Sequence, residues 1–219
     1  MSTLAITDRT RITRLRDRQV PDRRALHDVL DSALVAHVGV VRDGTAVVLP
    51  MGCARDGDGL LLHGSSGGGL LRAAATGAEI TATVTVLDGL VYARTVFDSS
   101  MNYRSAMVVG VAQVLEDDAK VAGLRVLSEH LMPGRWDEVR PPTPRELAAT
   151  LVLRLPLDEA SVKVRSGAPS DDAEEPRDVW AGVVPLAVAV GAPLTGPDVP
   201  AAVEVPASVR ALHRTLPGS

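Results

Sequence analysis

Cysteine is almost missing from this chain. Cys53 is the one thiol in 219 residues, so no internal disulfide can form, and no Cys or His partners stand around it at zinc-ligand spacing. No metal ligands are therefore assigned. Long runs of one charge are missing too. The net charge is −4 with no run of five or more like charges, which removes the basic footprint that nucleic acid or an anionic membrane requires. Uninterrupted apolar stretches stay well short of the roughly 20 residues of a membrane span. Residues 1–18, rich in Arg and Thr, lack the apolar segment of a signal peptide. The expectation is a soluble, cytoplasmic protein with neither nucleic acid nor membrane as partner. No internal repeat is visible. What is present is an apolar content of 46%, enough for one sizeable core.

Residues 21–33 carry apolar side chains at 25, 26, 29, 30 and 33, which predicts a helix with Pro21 near its first turn. Residues 34–41 and 45–54 read as strands joined by Arg42-Asp43-Gly44, and the Asp58-Gly59 pair leads into a third strand ending in Leu60-Leu61-Leu62-His63. A short helix over 70–76 stops at Gly77. Residues 79–87 alternate apolar and Thr positions as a half-buried strand does, and Asp88-Gly89 is read as a turn into another strand over 90–96. A strand over 105–115, an acid-led helix up to Pro133-Gly134 and a strand over 149–157 complete the pattern. Six or more antiparallel strands with inserted helices predict a small barrel. Beyond Ser166 an acidic Gly/Pro/Ser loop runs to residue 178, and the apolar segment 179–185 docks on something. A Pro-, Ala- and Val-rich tail follows, with a weak helical pattern over 206–214; it is read as loosely ordered or used against a partner chain.

Two clusters carry the chemistry. Ser100-Met101-Asn102-Tyr103-Arg104-Ser105 sets an amide, a phenol, a guanidinium and a hydroxyl at the mouth of a buried strand, as a polar-ligand site would. It reads equally well as a strand entry whose polar groups meet water. His63-Gly64-Ser65-Ser66-Gly67-Gly68-Gly69 lacks the Lys of a phosphate-binding Walker loop. Its backbone N–H groups with Ser65, Ser66 and Arg72 still form a candidate anion site, against a flexible loop as the alternative. Lys163 and Arg165 share one strand face with Ser161, and the base rates favour solvation over phosphate binding. No catalytic triad or metal cluster emerges from the remaining histidines.

His63-Gly64-Ser65-Ser66, Ala82-Thr83-Val84-Thr85 with Leu87-Asp88-Gly89-Leu90-Val91, Ser100 to Ser105, Pro133-Gly134-Arg135-Trp136, Lys163-Val164-Arg165-Ser166-Gly167 and Trp180-Ala181-Gly182-Val183 occur in a fixed order. In that order the chain resembles the flavin-nucleotide-binding proteins of the pyridoxamine 5'-phosphate oxidase-like family, in the branch of nitroimidazole-resistance-type proteins. The resemblance spans about residues 15–187, leaving residues 1–14 as an arm and 188–219 as a tail. It implies a mainly β fold with inserted helices, a six-stranded antiparallel split β-barrel that forms a homodimer with FMN in clefts at the subunit interface.

On that resemblance, Leu49, Pro50 and Met51 run along the isoalloxazine ring, and the turn of His63, Ser65 and Ser66 approaches the ribityl phosphate. Asn102, Tyr103, Arg104 and Ser105 bind flavin or line the cleft, and Lys163, Arg165 and Trp180 complete it. Relatives carry Lys or Arg after the Ser-containing turn where this chain has Gly67, Gly68 and Gly69, so the phosphate charge falls to Arg72 or Arg104. The implied function is an FMN-dependent oxidoreductase acting on a small molecule, with NADH or NADPH as electron donor and no catalytic acid or base from the protein. The alternatives are a non-enzymatic flavin-binding or sensing protein, or a split barrel using F420 or haem.

Overall fold

Short hairpins and period-two burial decide the architecture. The computed structural model describes residues 3–170 and 177–212. Part of the acidic loop (171–176) and the end of the predicted tail helix (213–214) lie outside them. In chain order the elements are α1 (Arg23–Asp31), β1 (Val35–Arg42), β2 (Thr45–Asp56), β3 (Gly59–Ser65), α2 (Gly69–Ala75), β4 (Glu79–Tyr92), β5 (Ser100–Val111) and β6 (Gln113–Val114). They continue with α3 (Asp117–Leu131), α4 (Pro144–Ala148), β7 (Thr150–Pro156), β8 (Ala160–Arg165), β9 (Gly182–Pro185) and α5 (Ala207–Ala211). The β1–β2 hairpin turns on Asp43 and Gly44, both at positive φ (50° and 75°), as a two-residue turn matched to strand twist requires.

All pairings are antiparallel, in the order β6-β7-β3-β2-β1-β4-β5-β8, with β9 added to β4. Because β6 follows β5 after the single residue Ala112, the path from β5 through β4, β1, β2, β3 and β7 returns to its own continuation. That circuit is the six-stranded split barrel. Inward residues such as Val38, Leu60, Leu62, Ile80, Val84, Val108, Leu153 and Val162 fill it. Leu26, Val29 and Leu30 of α1, and Leu70, Leu71 and Ala74 of α2, join the same core. α3 lies outside the barrel, where Leu127 packs with Ala54, Leu61 and Val152 in a second cluster. No helix among the described residues is long and apolar enough to cross a membrane.

Three expectations change. Asp88-Gly89 is a bulge inside one continuous β4 rather than a turn between two strands. A Cβ at Gly89 would stand 3.0 Å from the Val184 carbonyl oxygen, so glycine there lets β9 pair with β4. The strand predicted from Ser105 begins at Ser100, so the polar motif forms the first half of β5 and not its mouth. It then breaks at Ala112 instead of running on to 115. Arg165, read as solvated, is buried at 9% exposure, where the Asn102 side-chain oxygen accepts from it. The tail is largely exposed as far as α5, where the Ser208 N–H and hydroxyl both donate to Glu138 (2.9 and 2.6 Å).

Cys53 is fully buried in the barrel core, and burial pushes its thiol pKa up to about 11. The thiolate is the reacting species. Native protein at pH 8 is therefore expected to leave Cys53 unmodified by a thiol reagent, with one equivalent reacting after denaturation. Thiol counting before and after adding guanidinium checks this.

Candidate functional site

β3 alternates between the two faces of its sheet. Leu60 and Leu62 enter the barrel core, Leu61 joins the outer cluster under α3, and His63 follows Leu61 to the outside. There His63 borders a cleft of about 630 Å³ between the barrel, α3 and α4. Leu124, Leu131, Met132, Trp136 and Leu147 supply apolar wall, and Arg135 and Arg140 stand on its border. The neighbouring strand leaves room: a Cβ at Gly52 would lie 3.4 Å from Leu131 Cδ1 and 4.0 Å from His63 Cε1. Burial holds the His63 pKa below the ordinary 6.5, so its imidazole is neutral at pH 7. Neither ring nitrogen has a hydrogen-bond partner among the described residues.

The far wall of this cleft is formed by α4, which is absent from the elements predicted from the sequence. Thr143 and Glu146 form a capping box. Glu146 also takes two hydrogen bonds from Arg140 at 2.7 and 2.9 Å. The Thr143-x-x-Glu146 spacing was the available signal.

The rest of the predicted residues fall into two groups. Val48 and Pro50 share the outward face of β2 with Gly52, whereas Met51 faces inward and packs against the core. Leu49 is exposed at 46% near the hairpin end. Ser65 accepts the Gly67 N–H at 3.2 Å, Ser66 donates its own N–H to the Ala149 carbonyl, and Arg72 is exposed on α2. Gly64 to Gly68 also fits the Gly-x-Ser-x-Gly spacing of a hydrolase elbow. The Ser66 hydroxyl has no histidine partner among the described residues, so no triad forms.

The second group sits on β4, β5, β8 and β9, with β1 between it and the first. Arg104 grips Asp88 across the β4 bulge, Nη2 to Oδ1 at 2.8 Å and Nε to Oδ2 at 3.0 Å. That fork raises the Arg104 pKa, chiefly through hydrogen bonding to Asp88. Arg165 donates to the Asn102 side-chain oxygen and to the Ala168 carbonyl, while the Asn102 amide donates to the Gly167 carbonyl at 3.1 Å. Satisfied in this way, a guanidinium tolerates burial. Ser105 donates to the Lys163 carbonyl, and Lys163 donates to the Arg14 carbonyl of the N-terminal arm. Half-buried Tyr103 is paired in register with Arg165. Trp180 is 65% exposed and packs against Tyr92 with ring centroids 5.9 Å apart.

Two outcomes follow from these contacts. Asn102→Leu strips the buried Arg165 of its side-chain acceptor and is expected to cost about 1.5–3 kcal/mol, read as a lower urea midpoint. Glu146 has its pKa lowered from 4.5 to about 2, first by the Arg140 hydrogen bond and then by the Thr143 backbone. A depressed carboxylate pKa contributes stability above its unfolded value that is lost as pH falls toward the folded one. Part of the acid destabilisation between about pH 5 and pH 2 should therefore disappear in Glu146→Gln, as thermal melts across that window would show.

Known proteins share this architecture. The FAD- and haem-binding protein of Mycobacterium smegmatis is 47% identical over 90% of this chain and 97% of its own, with a TM-score of 0.87. The flavocytochrome Anf3 of Azotobacter vinelandii is 37% identical over 93% of this chain and 96% of its own, also at a TM-score of 0.87. A candidate 5-nitroimidazole antibiotic resistance protein of Bacteroides thetaiotaomicron, 22% identical over 67% of this chain and 86% of its own, shares the fold at a TM-score of 0.57. No curated protein matches the chain. The family model described as pyridoxamine 5'-phosphate oxidase matches residues 22–164, which is more than half of the sequence, and the chain belongs to that family.

Proposed function

We propose that the chain is a flavin- and haem-binding redox protein that works as a homodimer. One observation carries this reading: a neutral imidazole without a hydrogen-bond partner, His63, faces an apolar cleft of about 630 Å³ bordered by two guanidiniums. Neutral imidazole is a common axial ligand of haem iron. Trp136, Leu131 and Met132 suit a flat apolar macrocycle. The donor set therefore fits haem. The relatives at 47% and 37% identity, a FAD- and haem-binding protein and a flavocytochrome, support the same pair of cofactors. They favour FAD over the FMN expected from the sequence.

The flavin belongs on the outer face of β2, beside the His63 cleft. Val48, exposed at 60%, and Pro50 supply an apolar strand surface there that this chain leaves uncovered. A second copy accounts for the separation of the two residue groups, because its β4–β5–β8 region can cover the first copy's β2. Exposed apolar residues on both sides, among them Val48, Leu49, Leu87, Leu90 and Met101, are the surface such an assembly would bury. When bound, a flavin accepts hydride and releases single electrons, and haem handles one-electron and oxygen chemistry. The protein's part is to orient both groups and exclude water. NADH or NADPH is the proposed donor to a reaction on a small molecule, with the cytoplasm as the proposed location.

Protein purified with haem supplied is expected to show a flavin spectrum together with a Soret band, to release FAD on heating, and to be bleached anaerobically by NADH or NADPH. His63→Ala should lose the Soret band and retain the flavin. Unchanged haem content and spectrum in that variant would remove His63 as the ligand, and a flavin that neither nucleotide reduces would favour a sensing role.

A further inference from the structure

The flavin reading leaves open which cation meets the phosphate. Gly67, Gly68 and Gly69 offer no side chain, and the Arg104 charge is already held by Asp88. Arg42 closes β1, opposite Thr45 at the hairpin end. Its guanidinium folds onto Gly69, so that a Cβ built at Gly69 would stand 3.2 Å from Arg42 Cζ and closer still to Nη1. The glycine therefore makes room for an arginine from a neighbouring strand. Among the described residues the Arg42 side chain has no carboxylate partner and no hydrogen bond. Beside it, Ser65 has spent one acceptor position on the Gly67 N–H, leaving its hydroxyl proton, and the Ser66 hydroxyl is also uncommitted. The run Ser65 to Gly69 thus has an arginine without a counter-charge at one end, against Gly69, and a hydroxyl at the other, Ser65 beside Gly67.

We propose that Arg42 is the residue that binds the phosphate of the flavin nucleotide, with Ser65 and Ser66 as supporting donors. This rests on the flavin reading above. It assigns the selectivity for phosphorylated flavin to the β1–β2 hairpin rather than to the residues that follow the serine turn. Arginine suits the task because its planar fork matches phosphate oxygens in pairs and stays charged at any working pH.

The test is titration of flavin-stripped protein with FAD, FMN and riboflavin, which lacks phosphate, in the parent, Arg42→Ala, Arg42→Lys and Arg72→Ala. Arg42→Ala is expected to weaken FAD and FMN roughly 10- to 100-fold, the range of a charge-assisted contact, while riboflavin binds as in the parent. Arg42→Lys should recover part of the loss, and Arg72→Ala should bind as the parent does. Equal FAD affinity in the parent and Arg42→Ala would overturn the assignment, as would an equal loss for riboflavin or a loss confined to Arg72→Ala. A parent protein that takes up none of the three flavins would instead overturn the flavin reading itself, and Arg42's role with it.

Discussion

The pairing of β3 between β2 and β7 is the constraint on which the rest of the molecule depends. With both edges hydrogen-bonded, β3 cannot slip by one residue without turning Leu60 and Leu62 out of the core and His63 into it. The register therefore fixes more than packing. It sends Leu61 and His63 to the face that α3 covers, and sends Gly64 the other way, where a Cβ would stand 2.6 Å from Leu71 Cδ1 of α2. Core, cleft and the close approach of α2 are consequences of one strand's alternation. A polar imidazole is thereby held at the edge of an apolar cluster, where burial keeps it neutral.

The opposite side of the sheet uses its charges differently. Asp88 and Arg104 lock the bulge of β4 to β5, and Asn102 with Arg165 anchors the chain after β8 at Gly167 and Ala168. Asn102 and Arg165 are each 9% exposed, so their hydrogen bonds are worth more than those of surface ion pairs. What they stabilise is the surface from which β9 and Trp180 extend. Gly182 follows the same logic as Gly89: a Cβ there would stand 2.7 Å from the Trp180 ring, so glycine lets the indole lie over the strand. The motif 100–105 is thus first a structural clamp, and any role in a cleft is exercised by a surface already rigid.

Much of the fold was legible because most strands of this barrel alternate cleanly and most hairpins carry Gly or Asp at the turn. The family resemblance was legible for a different reason, the order of several short motifs along one chain. Where reading failed, a tertiary partner overrode a local signal. Asp88-Gly89 has the composition of a turn, yet Arg104 and β9 hold it within a strand, and neither partner is near in sequence. Arg165 has the look of a solvated cation, yet its acceptor Asn102 is 63 residues away. The His63 cleft is not legible in the sequence because its far wall comes from α3, the 136–138 turn and α4, whose periodicity says nothing of the space they enclose. Arg42 is illegible for the same reason: only the folded hairpin brings it to Gly69.

The placement of charge on the two sides of β2 then has a physical logic. A phosphate-binding cation within the glycine run would stand on backbone outside the sheet ladder, whose ordering adds to the side-chain entropy lost on binding. Carried instead on β1, one residue from a tight two-residue turn, Arg42 is positioned by a ladder that is paired whether or not a ligand is present. The glycines that follow Ser66 supply the room, and the strand supplies the order. The same division holds at the neighbouring cleft, where Gly52 leaves space and β3 fixes the imidazole. In both places the barrel provides rigid polar groups and the glycines provide volume, so that the outer face of β2 and β3 can hold flat, charged molecules without reorganising its core.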